Sequence, residues 1–278
     1  MSATDGPLAG VELIDLTRTL DAADLGRLPP AVRPSASVLV PGVEQTHPAT
    51  DGAAVMSAIF GCTPEDLPDG EGWGEERLTI SSHLGTHVDA PLHYGSTCEG
   101  RPARSVEAIG LHELLCDGIV LDLRGRVEPD EGITIEALDE ALAATGADVS
   151  PGCALLLRTG MEAYSLADEA FYRYPGMTRA GTLHLAGLGA RVLGTDALGW
   201  DRPFPVMRRA FRATGDRAEI WDGHFAGRER EVFIVQQLVG LAALPPSGFT
   251  VGFFPIKLAG CSAAPARVVA FVPSRRWS

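Results

Sequence analysis

Apolar positions along this chain fall mainly into short runs, and the runs predict a mixture of strands and helices. Val11 to Leu16 reads as a first strand. Leu78 and Ile80 alternate with the more polar Thr79 and Ser81, the pattern of a half-buried strand. Gly118 to Leu123 contains an Ile119-Val120-Leu121 run, which predicts a strand covered on both faces. Thr134 can cap a helix that carries Ile135, Leu138, Ala141 and Leu142 on one side and stops at Gly146. Ser150-Pro151-Gly152 turns the chain into a strand from Ala154 to Arg158. A second helix, Thr178 to Ala190, leads to a strand from Arg191 to Thr195, and this strand–helix–strand order implies some parallel pairing. Further strands are expected near Val232 to Leu238, Thr250 to Lys257 and Arg267 to Val272.

No repeat, low-complexity tract or linker interrupts these 278 residues, so one mixed α/β domain over residues 1–278 is expected. Leu28 to Ala54 is rich in proline and small residues and predicts an extended arm that covers a site or embraces a partner subunit. With 45% hydrophobic residues, the chain can bury a full core. Its net charge of −13 argues against a nucleic-acid partner. The cysteines, at 62, 98, 116, 153 and 261, are odd in number and contain no C-x-x-C pair, which suits a reducing cytoplasm. Met1 to Gly10 lacks the basic and apolar parts of a signal peptide, and no apolar run is long enough to span a bilayer.

Chemistry concentrates between Ser82 and His93. Three of the seven histidines and an aspartate follow the pattern H-x3-H-x-D-x3-H, as His83, His87, Asp89 and His93. Imidazole nitrogen and carboxylate oxygen are ligands for Zn²⁺ or Mn²⁺, and the pattern offers more of them than one ion needs. In an extended segment His87 and Asp89 share a face, and His83 joins them if the chain folds back at Gly85. Pro91 prevents a helix from continuing through this stretch. A histidine to spare beside an ion is a natural proton carrier, since its ordinary pKa is about 6.5. Trp73, ten residues before His83, is the tryptophan expected to face a planar substrate.

This segment resembles the H-x-G-T-H-x-D-x-P-x-H signature of the metal-dependent cyclase superfamily, which includes kynurenine formamidases, isatin hydrolases and aromatic-polyketide ring cyclases. Leu13-Ile14-Asp15-Leu16-Thr17 is similar to the family's first strand, and Gly194-Thr195-Asp196 with Trp200-Asp201 is similar to its G-T/I-D…D segment. Phe254-Pro255-Ile256-Lys257-Leu258, Gly260, Pro265 and Arg267 resemble its closing hairpin. The resemblance implies a swivelling β/β/α architecture with the metal site inside a barrel-like sheet, and a homodimer or higher oligomer. His224 and Gln236 stand where many formamidase-like members carry a His…Glu pair for a second metal. Because an amide oxygen is a weaker ligand than a carboxylate, the exchange favours one ion, with Gln236 completing the set beside His83, His87 and Asp89.

Segments around Trp200, Trp221 and Ser262 look most like the ring-cyclase branch. The first expectation is therefore an aldol-type closure of a carbonyl-rich polyketide, with the ion stabilising an enolate and His93 as the base. His224 would hydrogen-bond a substrate oxygen. The alternative is hydrolysis of an amide, lactone or ester, with the same ion activating water. The ligand motif alone does not separate the two.

Overall fold

A computed structural model describes residues 8–274. The ends of the expected 1–278 domain, and most of the stretch read for a signal peptide, lie outside the described residues. In chain order the strands are β1 (Val11–Asp15), β2 (Gly42–Thr46), β3 (Glu75–Thr79), β4 (His87–Asp89), β5 (Thr97–Cys98), β6 (Arg101–Pro102) and β7 (Leu115–Asp122). They continue as β8 (Gly132–Ile133), β9 (Ala154–Arg158), β10 (Gly176–Met177), β11 (Val192–Thr195), β12 (Phe233–Gln236), β13 (Phe249–Pro255) and β14 (Ala263–Pro273). The α-helices are α1 (Ala36–Leu39), α2 (Ala53–Phe60), α3 (Ile135–Thr145), α4 (Arg179–Gly187), α5 (Phe204–Thr214) and α6 (Asp222–Phe225).

Eight strands form the main sheet in the order β1-β14-β13-β7-β9-β11-β12-β4, and a further pairing of β14 with β4 closes all but β1 into a barrel. Strands β7, β9, β11 and β12 are parallel, joined by crossovers that include α3 and α4. Their unbroken apolar runs follow from period-two geometry, in which successive side chains point to opposite faces. Val120, Leu156, Val192 and Val235 meet Val251, Phe253 and Val268 in the barrel interior. Ile119, Leu155, Leu193 and Ile234 point outward and pack with Leu138 and Ala141 of α3 and Leu185 and Ala186 of α4. The helix α3 begins as expected, with the Thr134 hydroxyl accepting from the Ala137 N–H, and ends at Gly146 in the left-handed region at φ +65°.

Three expectations are corrected. Leu78 is 60% exposed, because β3 pairs only with β2 in a separate two-stranded ribbon and buries neither face. The segment from Leu28 to Ala54, expected to be extended, holds α1, β2 and the start of α2. Strand β14 starts at Ala263 rather than Arg267, since Ala263, Ala264 and Pro265 pair with β4 before the strand continues beside β13. Helix α5 carries Phe204, Met207 and Phe211 on one face, yet only Met207 is buried and Phe204 is 74% exposed.

The short strand β4 is the seam of the barrel. Val88 lies between Val235 of β12 and Ala264 of β14, and all three side chains belong to the interior core. Alternation therefore sends His87 and Asp89 to the outer face, where Gln236 is directly opposite His87. The barrel wall, rather than its interior, presents these side chains. Among the described residues, no helix is long and apolar enough to cross a membrane.

Candidate metal centre

Local backbone geometry brings the motif together. Gly85 adopts φ +60°, a left-handed conformation that favours glycine. The turn folds His83 back onto β4, where its Nδ1–H donates to Asp89 Oδ1 at 2.9 Å and its Nε2 lies 3.3 Å from Ser262 Oγ. After β4, Pro91–His93 form a tight turn in which the His93 N–H donates to the Ala90 carbonyl.

His87 carries the most telling atom. Its Nδ1–H donates to the Gly85 carbonyl at 2.7 Å, which fixes the tautomer and leaves a lone pair on Nε2. That Nε2 is buried and has no hydrogen-bond partner, although Asp89 Oδ1 is 3.3 Å away. A buried acceptor with nothing to accept from is costly, and a cation satisfies it. His83, His87 and Asp89 can each offer a ligand atom within 4.8 Å of the others. Two imidazoles and a carboxylate fit a divalent ion such as Zn²⁺ or Mn²⁺. Asp89, His93 and His224 form a second such group that shares Asp89.

The Asp89 carboxylate is fully buried, which by itself raises its pKa. His87, His224 and His83 outweigh that and hold it well below the usual carboxylate range. Gln236 Nε2 donates to Asp89 Oδ2 at 2.7 Å, so the amide of this expected ligand is turned to support the carboxylate. Tyr94 ties the two strands together, accepting from the Ile234 N–H and donating to the Asp89 carbonyl. Burial pushes the His93 imidazole down to about 4; Asp89 opposes this and the neighbouring histidines add to it. For His224, burial lowers the pKa, but Asp201 foremost and Asp89 raise it to about 9. Asp201 contacts His224 Nδ1 and also accepts from the Gly223 and His224 backbone N–H groups.

The rings form a cluster. His83 and His93 lie 4.0 Å apart between centroids, and His93 is 5.4 Å from His224. Trp221 stacks on His224 at 4.3 Å and 20°, and meets His93 edge to face at 4.9 Å. Trp221 has φ +54°, an unusual conformation for a bulky residue and one that costs about 1–2 kcal/mol. Trp73, by contrast, is 39% exposed and makes no ring contact with the cluster among the described residues. Asp201 and Trp221 were visible in the sequence as a post-strand aspartate and a tryptophan three residues before His224. Ser262 stood in one of the segments that resemble the ring-cyclase branch, with no role assigned to its side chain. Two cavities, of about 400 and 300 Å³, have linings that include none of these cluster residues.

Comparison with known proteins gives consistent results. The Cyclase family model, described as "Putative cyclase", matches residues 14–202. An isatin hydrolase of Roseibium aggregatum is 24% identical over 222 residues, covering 74% of this chain and 77% of the relative. A kynurenine formamidase of Maricaulis maris is 28% identical over 194 residues, covering 69% and 78%. The solved structure of isatin hydrolase A from Ralstonia solanacearum superposes with a TM-score of 0.71 at 22% identity, covering 94% of this chain and 92% of that one.

Proposed function

The chain belongs to the Cyclase family, and from that premise we propose that it is a metal-dependent hydrolase that opens an amide or lactam bond in a small carbonyl compound. The observation that carries this reading is the buried, unpartnered Nε2 of His87 beside Asp89. One divalent ion, Zn²⁺ or Mn²⁺, is assigned to His83, His87 and Asp89. When bound, the ion supplies Lewis acidity to a carbonyl oxygen and to water.

The chain's own groups do the rest. His93, neutral at pH 7 with its pKa near 4, accepts the proton from the attacking water and passes it to the leaving nitrogen. His224 is oriented by Asp201 and donates from Nε2 to an oxygen of the substrate. Gln236, expected from the sequence to complete the ligand set, instead anchors Asp89 so that one carboxylate oxygen stays aimed at the ion.

Polyketide ring closure was the leading expectation from sequence, with hydrolysis as the alternative. Hydrolysis now takes precedence, because the isatin hydrolase and kynurenine formamidase relatives are named for hydrolytic reactions. The decisive experiment incubates the metal-loaded protein with aryl formamides and aromatic lactams and follows the products by mass spectrometry. A gain of one water that is abolished by chelation supports the proposal. A loss of water from a polyketide-like substrate, without hydrolysis of any amide, would overturn it in favour of cyclisation.

A further inference from the structure

Trp221 is the one ring of the cluster held in place against its own backbone preference. Its φ of +54° and ψ of +36° lie in the left-handed region, which glycine would occupy freely. The surroundings fix it there. The Trp221 N–H donates to Met207 Sδ, and the Trp221 carbonyl accepts from the Phe225 N–H as α6 begins. This turn folds the indole back over His224, three residues on, at a stacking angle of 20°.

His224 beneath it is buried, while the indole itself remains partly open to solvent. Trp221 thus roofs His224, touches His93 with its ring, and still offers indole surface to a ligand. A backbone that glycine would satisfy without strain here carries the largest side chain, and that side chain sits against the two imidazoles outside the His83, His87 and Asp89 group.

We infer that Trp221 is a specificity-determining residue, the aromatic wall against which the planar arene of the substrate packs while its reacting carbonyl meets the metal centre. The arene is selected by offset or edge contacts with the indole, which a saturated ring of similar size does not reproduce. The inference rests on the hydrolase reading for the reaction, but not for the binding preference.

Binding is therefore the test. Benzoate and cyclohexanecarboxylate share a carboxylate and a six-membered ring, and differ in aromaticity. Calorimetric titration of the Zn²⁺-loaded protein should show benzoate binding about tenfold more tightly than its saturated counterpart. The ratio should fall to about one in W221G and persist in W221F, with elemental analysis showing the same zinc content in all three proteins. An unchanged ratio in W221G, a ratio near one in the parent protein, or loss of the preference in W221F would overturn the inference. If W221G does not fold, W221F decides by the same criterion. Arene preference without amide turnover would sink the hydrolase reading alone, and turnover without arene preference would sink this inference alone.

Discussion

His87 and His93 are six positions apart in the sequence yet differ in their surroundings. His87 has one nitrogen committed to the Gly85 carbonyl and the other left bare, whereas the His93 ring lies tilted at 35° against that of His83. Replacing His87 with alanine should empty the metal centre, which elemental analysis would reveal. His93→Ala should retain the ion and lower kcat by ~10²–10⁴. Equal metal loss in both variants would make His93 a ligand. Gln236→Glu sets a second carboxylate within hydrogen-bond distance of Asp89, where two like charges repel. The variant should bind a second Zn²⁺ or Mn²⁺ in calorimetry and turn over more slowly; unchanged stoichiometry would rule out that use of the position. At this scale the sequence was informative where ligands are close in the chain. His83, His87, Asp89 and His93 fall within eleven residues of a turn and a strand, so periodicity placed them together. Asp201, Trp221 and Ser262 join from remote segments, and local pattern carries no record of that.

Elements hold the centre through contacts between their ends. Arg104, two residues after β6, is bonded to Glu113 and to Glu231, which precedes β12 with only Val232 between. The Arg104 guanidinium, against the cost of burial and with help from the Gly110 N–H, holds the Glu113 carboxyl down at about 2. Because the folded value lies below the ordinary carboxylate pKa of about 4.3, this pair's stabilisation is present above that pH and fades as pH falls toward 2. Urea unfolding at about pH 5 and about pH 3 should show the loss, and Glu113→Gln should flatten the difference at a cost of about 1–2 kcal/mol near neutral pH. A variant with the same pH slope as the parent would remove Glu113 from the account. Elements with strong periodic burial, such as β7, β9 and α3, were legible from their residues. For β3 the strand was legible but its exposure was not, and α5 was missed, since alternation or amphipathicity without a partner face says little about burial.

The whole molecule depends on a three-residue seam. Strand β4 closes the barrel between β12 and β14 and carries His87 and Asp89 on its outer face. Ion binding and barrel closure should therefore be coupled. Chelation should speed hydrogen exchange at the backbone amides of the β4 seam while leaving those of β9 and β11 protected, and uniform exchange throughout would refute that coupling. The seam also has a consequence in time. Gln236 is 147 residues from Asp89, and Ser262 is 179 residues from His83. A ribosome at work releases the H-x3-H-x-D motif long before the strands that flank it, and bringing such distant segments together is slow. The nascent chain then exposes its imidazoles and carboxylate without their supports, free to catch whatever ion is at hand. That exposure would end only when the last strand, β14, zips the barrel shut.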